Sequence, residues 1–422
     1  MKCKIEKAKL SGTIACPPNK SYTHRAIFLS TLAKGKSQLD NVLLSRDTIA
    51  TIDACRKFGA QIKTDGASVT IESSGEIKPS SSEIDASNSG TTIRIAAAIA
   101  SLIENKTTLT GDSSLKKRPM QLLLDALEHL GASCTSTDGK PPITVKGKIA
   151  GGEVSIPGSV SSQFITALMI AAPRTEKGIT LNIEGELVSK PYLEATIATM
   201  KKFGAEVQVI TPYKKYKIPR QNYSSTTFTV PSDFSSMALL LSAAVLLGDS
   251  LTILASVGDL PQGDMAIISH LEKLGVKVNI DGNRISVKSP QLLEGGKFDL
   301  SNTPDLLPAV AILALKTSKP IEIFNVKHAR FKETDRIAIL ASELAKIGIM
   351  VQEKEDGLIL QAPRAPRGAD LDSSDDHRLF MAFCIAGMHV GNCTVSDPES
   401  VDVSYPSFIG DMNRVGAKIL PN

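Results

Sequence analysis

Two kinds of apolar segment alternate along this chain. Six are apolar on almost every side once past a polar first turn: SYTHRAIFLSTLAKG (21–35), TTIRIAAAIASLI (91–103), SSQFITALMIAAP (161–173), DFSSMALLLSAAVLLG (233–248), DLLPAVAILALK (305–316) and DHRLFMAFCIAGM (376–388). That pattern predicts helices buried in an interior. The second kind is apolar on one face only: Leu123, Ala126, Leu127 and Leu130 share a face, as do Leu340, Leu344 and Ile347. It predicts amphipathic surface helices. Short strand-like runs such as ITLNIEG (179–185) and IEIFNV (321–326) separate the two kinds. Turn text such as TDGAS, DGNR and EDGL between alternating runs predicts closing hairpins.

Each amphipathic segment ends in a glycine: Gly59, Gly131, Gly204, Gly275, Gly348 and Gly416, at intervals of 72, 73, 71, 73 and 68 residues. A glycine there closes the last helical turn in the left-handed conformation. Six at near-constant spacing mean one copied supersecondary unit whose copies stack over a common core. The expected class is α/β (α+β), with βαβαββ units grouped three and three into two lobes around buried parallel helices. Only AKILPN follows Gly416, while strand-like KIEKAKLSGTIAC (4–16) precedes the first copy. The economical reading lets that N-terminal strand complete the sixth unit. One lobe then spans 17–226 and the other 1–16 plus 227–422, joined by two crossings that would form a hinge.

Composition narrows the class. Aromatic residues make up 4% with no Trp, so Ala, Leu, Ile and Val must build the core. The net charge of +4 is too balanced for a chain devoted to nucleic acid. Six separated cysteines show no C-x-x-C, and no His stands at metal spacing, so reduced thiols, a cytoplasmic location and no metal are expected. The longest apolar runs stop near 12 residues, against about 20 for a membrane span. The start, MKCKIEKAKLSGT, lacks the apolar stretch of a signal peptide.

The chemistry gathers at the N-terminal ends of the six buried segments. They carry Lys20, Ser21 and Arg25; Asn88, Ser89, Gly90, Thr91 and Arg94; Ser161, Ser162 and Gln163; Asp233, Ser235 and Ser236; Asp305; and Asp376, His377 and Arg378. Helix capping accounts for Ser235, Ser236 and Asn88. It does not account for cations, which oppose the helix dipole. An anion resolves the conflict, because helix N-termini and guanidinium groups both bind one. Parallel buried helices would bring these ends to one face of each lobe, and the two faces would form a cationic cleft for small phosphates or carboxylates. No phosphate-binding glycine loop of the nucleotide type is present. KKRPM (116–120) adds charge in a loop. RFKETDR (330–336) opens the fifth amphipathic helix and crowds Lys332, Glu333 and Arg336 into one turn, where a carboxylate between cations suits acid–base work.

At these residues the chain resembles the EPSP synthase family of enolpyruvyl transferases. The matching text is KSYTHRA (20–26), NSGTTIR (88–94), LKKRP (115–119), GSVSSQFITAL (158–168), SKPY (189–192), TPDLLP (303–308), KETDR (332–336) and DHRLFMAF (376–383). The resemblance implies a two-lobed inside-out α/β barrel that closes on its substrates without metal or organic cofactor. It implies transfer of the enolpyruvyl group of phosphoenolpyruvate to the 5-hydroxyl of shikimate 3-phosphate. By motif, Lys20, Ser21, Arg25, Ser161, Ser162, Gln163, Ser189, Tyr192, Asp305, His328 and Lys332 would hold shikimate 3-phosphate. Lys20, Asn88, Gly90, Thr91, Arg118, Gln163, Arg336, His377 and Arg378 would hold phosphoenolpyruvate. Asp305 would act as base, assisted by Lys332, and Glu333 as acid, with Lys20 also catalytic. A monomer without nucleic-acid or membrane partners is expected.

The chain departs from the family pattern at Asn19, Ser89, His328 and Val403, the last where many bacterial members carry a Lys. Among rivals, the sister UDP-N-acetylglucosamine enolpyruvyl transferases pair Lys with Asn in the first motif and usually carry a loop Cys. Here the pair is Lys20 and Ser21, and DSSLKKRP (112–119) has no Cys. RNA 3′-terminal phosphate cyclases need a C-terminal His that ESVDVSYPSF (399–408) does not offer, and intact Lys20, Asp305, Glu333 and Arg378 argue against a non-catalytic binding protein.

Overall fold

Six sheets repeat one strand order in the computed structural model, which describes residues 1–78 and 83–421. In the third unit, Gly152–Pro157 runs parallel to Ile179–Glu184, which pairs antiparallel with Lys215–Ile218, and that strand with Gln208–Thr211. Parallel neighbours need a crossover, and in four of the six sheets a buried helix provides it directly. The buried helices are α1 (Lys20–Leu32), α3 (Gly90–Ala100), α5 (Ser162–Ala171), α7 (Phe234–Leu247), α9 (Leu307–Ile312) and α11 (His377–Val390). All 14 residues of α7 are buried. The one-faced helices are α2 (Arg46–Lys57), α4 (Gln121–His129), α6 (Lys190–Lys202), α8 (Ala266–Lys273), α10 (Arg336–Lys346) and α12 (Phe408–Arg414). Behind each lies one of the six spaced glycines, with φ between +78° and +110°. After α2, Gly59 N–H donates to the Arg56 carbonyl and Ala60 N–H to that of Cys55, closing the frayed turn.

Three sequence expectations change. The fifth buried helix is broken: a 3-10 turn at Pro304–Leu306 leads into α9, and a second follows at Leu313–Lys316. Asp305 therefore sits in a tight turn, where Pro304 lacks an N–H to donate. The segment 330–336 does not open α10 as a block either. Lys327–Phe331 is a 3-10 turn, Lys332 and Glu333 lie in the connection, and Asp335 caps α10 by accepting from Ala338 N–H at 3.0 Å. Finally, the N-terminal segment serves two units. Lys2–Ile5 pairs with Cys393–Ser396 and Ile419–Pro421 in the sixth, whereas Leu10–Ala15 runs parallel to Gly248–Leu254 as the leading strand of the fourth.

The chain divides into two compact units, 18–231 and 1–17 plus 232–422. The second boundary falls at 231/232 rather than 226/227. Tyr223–Ser224 and Thr227–Thr229 both run parallel to Ala33–Asp40 and so lead the first repeat. All six cysteines are free, and five of them are buried. No described helix is long and apolar enough to cross a membrane.

Candidate active site

In the unit 18–231, Asn19 caps α1 by accepting from Tyr22 N–H at 2.9 Å, which makes Lys20 the first helical residue. Lys20 Nζ lies 3.0 Å from Asp47 Oδ2 in the first turn of α2, and both side chains are mostly buried. Arg25, one turn further along α1, is 2% exposed. Its Nε donates to Thr196 Oγ1 at 2.9 Å, its Nη1 to the Ser21 carbonyl at 2.9 Å and its Nη2 to the Tyr192 carbonyl at 3.0 Å. All three acceptors are neutral. Burial lowers the guanidinium pKa to about 10, which still leaves it charged at neutral pH.

The start of α3 is a second cationic corner. Ser89 caps it, accepting from Thr92 N–H at 3.1 Å. Arg94 Nη1 donates to Gln163 Oε1 at the start of α5, and its Cζ lies 5.0 Å from the centre of the Phe164 ring. Arg118 Nη2 donates to Asn88 Oδ1 at 3.0 Å, and Asn88 Nδ2 donates to Asp112 at 2.8 Å. A Cβ on Gly90 would stand 3.0 Å from both Arg118 Nη1 and Arg94 Nη1, so glycine leaves both guanidinium groups uncrowded beside the helix end. Thr91 and Ser162 occupy the first turns of α3 and α5, and Ser161 caps α5. Ser189 adopts a left-handed conformation (φ 57°) just before α6, which carries Tyr192.

In the unit 1–17 plus 232–422, one guanidinium gathers three carboxylates. Arg336 is 1% exposed. Its Nε donates to Asp376 Oδ2 at 2.7 Å, Nη1 to Asp305 Oδ1 at 2.8 Å, and Nη2 to Glu333 Oε2 at 2.7 Å and to Asp376 Oδ1 at 3.3 Å. Burial alone would favour the neutral form, but Asp376, Glu333 and Asp305 outweigh it and hold the proton firmly on Arg336. Asp305 also lies 3.4 Å from Lys332 Nζ and 3.6 Å from Arg378 Nη2. Asp376 meanwhile caps α11, accepting from Arg378 N–H at 2.9 Å. His377 is buried at the first position of α11.

These contacts revise several sequence readings. Asn88 is not a cap; Ser89 is. Nor do Ser235 and Ser236 cap α7, since Asp233 does, and Ser235 Oγ donates to Asp264. Arg336 already commits most of its N–H groups to carboxylates, so its first duty is to hold Asp305 and Glu333 together. His328 is a neutral imidazole: burial, then Lys332, push its pKa down to about 4, and its Nε2 is buried without a hydrogen-bond partner. Val403 is buried, so that position offers no cation. Asp47, Thr196 and Asp264 escaped the sequence reading because none lies at the start of a buried helix. Burial, then the charge of Asp305, raise the Asp264 pKa to about 6.

A model of the EPSP synthase (3-phosphoshikimate 1-carboxyvinyltransferase) family matches residues 5–412. The chain is 63% identical over 421 residues to a 3-phosphoshikimate 1-carboxyvinyltransferase of Nitrosopumilus maritimus, covering 100% of both chains. It is 41% identical to one of Methanosphaera stadtmanae, covering 98% of this chain and 99% of that one. Its structure is similar to an EPSP synthase from Acinetobacter baumannii, with a TM-score of 0.82, 27% identity and 99% of each chain covered. The enolpyruvyl transferase NikO from Streptomyces tendae shares the fold at a TM-score of 0.78 and 16% identity, covering 99% of this chain and 98% of that one.

Proposed function

The chain belongs to the EPSP synthase family, and from that membership we propose how its residues divide the work. The enzyme transfers the enolpyruvyl group of phosphoenolpyruvate to the 5-hydroxyl of shikimate 3-phosphate and releases phosphate. In the addition half, Glu333 gives a proton to the methylene carbon while the 5-oxygen, losing its proton to Asp305, attacks the neighbouring carbon. In the elimination half, the C–O bond to phosphate breaks, the departing phosphate takes the proton held by Asp305, and the methyl group returns a proton to Glu333, leaving the enol ether. The observation that carries this assignment is the Arg336 cluster. It fixes an acid and a base through one guanidinium and gives them different surroundings: Asp305 faces Arg336, Lys332 and Arg378, whereas Glu333 is paired with Arg336.

Both substrates are polyanions, and seven cations offset their mutual repulsion: Lys20, Arg25, Arg94, Arg118, Lys332, Arg336 and Arg378. Arg25, with only neutral acceptors, supports a phosphate or carboxylate contact together with Ser21, Ser161, Ser162, Gln163, Ser189 and Tyr192, the shikimate 3-phosphate side. His328 completes that side as a neutral hydrogen-bonding group, as an amide would. Phosphoenolpyruvate is held by Lys20, Arg118, His377 and Arg378 and by the Asn88–Thr91 helix end. Arg336 touches it through what donor capacity the carboxylates leave. Holding the pair in contact contributes up to about 7–11 kcal/mol in favourable cases. Buried free thiols agree with a cytoplasmic enzyme, and one chain carries every group named, so a monomer suffices. The decisive assay is phosphate release from phosphoenolpyruvate with shikimate 3-phosphate as acceptor. Release with UDP-N-acetylglucosamine instead would overturn the acceptor assignment.

A further inference from the structure

Asp47 stands apart from the residues so far given a role in binding or chemistry. Its helix begins with a reciprocal cap: Ser45 N–H donates to Thr48 Oγ1 at 2.9 Å, and Thr48 N–H donates to Ser45 Oγ at 3.4 Å. An acid in the first turn of α2 then satisfies the helix dipole, and that role needs no burial. Yet Asp47 is 4% exposed, its Oδ1 is buried without a hydrogen-bond partner, and its Oδ2 is spent on Lys20. A carboxylate kept in those surroundings has its value in the contact it makes.

The frame around it is stiff. His24 of α1 bonds Thr51 of α2 at 2.6 Å, Thr51 bonds Thr92 of α3 at 2.6 Å, and Thr92 Oγ1 donates to the Ser89 cap at 2.7 Å. Buried hydroxyls and one imidazole thus tie α1, α2 and α3 together, with the Lys20–Asp47 pair on two of the same helices. A lysine ammonium has three N–H donors. One directed at Asp47 leaves two for an incoming anion, and the carboxylate behind fixes where the nitrogen stands.

We propose that Asp47 is a positioning residue for the enolpyruvyl transfer, acting through its ion pair with Lys20 to hold that ammonium aimed at phosphoenolpyruvate. This rests on the reading of Lys20 as a phosphoenolpyruvate contact. The test compares D47N, D47E, K20A and T51V in the phosphate-release assay, with kcat and the KM for each substrate measured separately. D47N should raise KM for phosphoenolpyruvate about tenfold or more and leave KM for shikimate 3-phosphate within about twofold. D47E, which restores the carboxylate one methylene further out, should recover only part of that loss. T51V, which cuts the hydroxyl tie but not the ion pair, should leave KM for phosphoenolpyruvate within about twofold. If K20A is crippled while folded D47N keeps wild-type KM for both substrates, Asp47 serves only the helix end and the proposal fails. If K20A itself behaves as wild type, the reading of Lys20 fails and takes this proposal with it. Should D47N not fold, D47E decides alone: a wild-type KM for phosphoenolpyruvate there overturns the proposal.

Discussion

The two units use their arginines in opposite ways. In 18–231, Arg25 is buried against a hydroxyl and two carbonyls and pairs with no carboxylate among the described residues. In 1–17 plus 232–422, Arg336 is as deeply buried but holds three carboxylates. A guanidinium with neutral partners keeps its charge available to a ligand, whereas one with three acids spends its charge fixing them. The same residue type, buried in both units, thus keeps neutral partners in one and gathers acids in the other, as the proposed division into binding and acid–base work requires. Copying the fold supplied the helix ends; the partners chosen at each end divided the work.

The largest test of this contrast is Glu333→Gln. Losing the carbon acid should lower kcat by about 10²–10⁴-fold with little change in either KM, as measured by steady-state phosphate release. Equal losses in kcat and affinity would show that Glu333 only positions substrate. Arg336→Leu should come next, because it removes the buried guanidinium that Asp305, Glu333 and Asp376 share. A stability loss of about 3–5 kcal/mol in urea unfolding is expected. Arg25→Leu strands no acid, so it should cost far less stability than Arg336→Leu while raising KM for shikimate 3-phosphate by roughly ten- to a hundredfold. Comparable destabilisation by both substitutions would erase the contrast between the units.

A smaller effect concerns pH. The raised pKa of Asp264, about 6 against an ordinary 3.8, means that the folded state holds this proton more tightly than the unfolded one. Its contribution to stability is therefore full below about pH 4 and is lost as pH climbs through about 6. Asp264→Asn cannot suffer that loss. Its unfolding free energy should match wild type at pH 4 and exceed it by about 2–3 kcal/mol at pH 8. A pH-independent difference between the two proteins would remove Asp264 from the electrostatics of the Asp305 cluster. The smallest effect is Gly90→Ala, which crowds Arg94 and Arg118 and should raise KM for phosphoenolpyruvate by a few-fold without changing KM for shikimate 3-phosphate.

The repeat, the buried helices and the polar helix ends were legible because each leaves a local trace: a period, an all-round apolar run, a cation where a helix dislikes one. Pairing partners left no such trace. Residues 4–16 read as one strand-like stretch, and that stretch does not say that Ile5 faces Cys393 while Ile14 lies beside Ile253. Asp47 and Asp264 were invisible for a related reason. Each looks like an ordinary acid near a helix start, and only burial beside Lys20, or beside Ser235 and Asp305, gives it significance. His328 stands out in the sequence only as a departure from the family pattern, and only its burial, then Lys332, push its pKa down.

The connectivity of the leading strands also sets an order in time. Residues 18–231 carry their own first strand at 223–229, so this unit has all its partners once that stretch leaves the ribosome. The other unit includes Lys2–Ile5, whose partners at Cys393–Ser396 and Ile419–Pro421 lie beyond the whole of 18–231. During synthesis those strand residues must wait unpaired while a whole unit folds behind them. The nested chain therefore makes 18–231 a folding event of its own and leaves the unit 1–17 plus 232–422 to assemble after it.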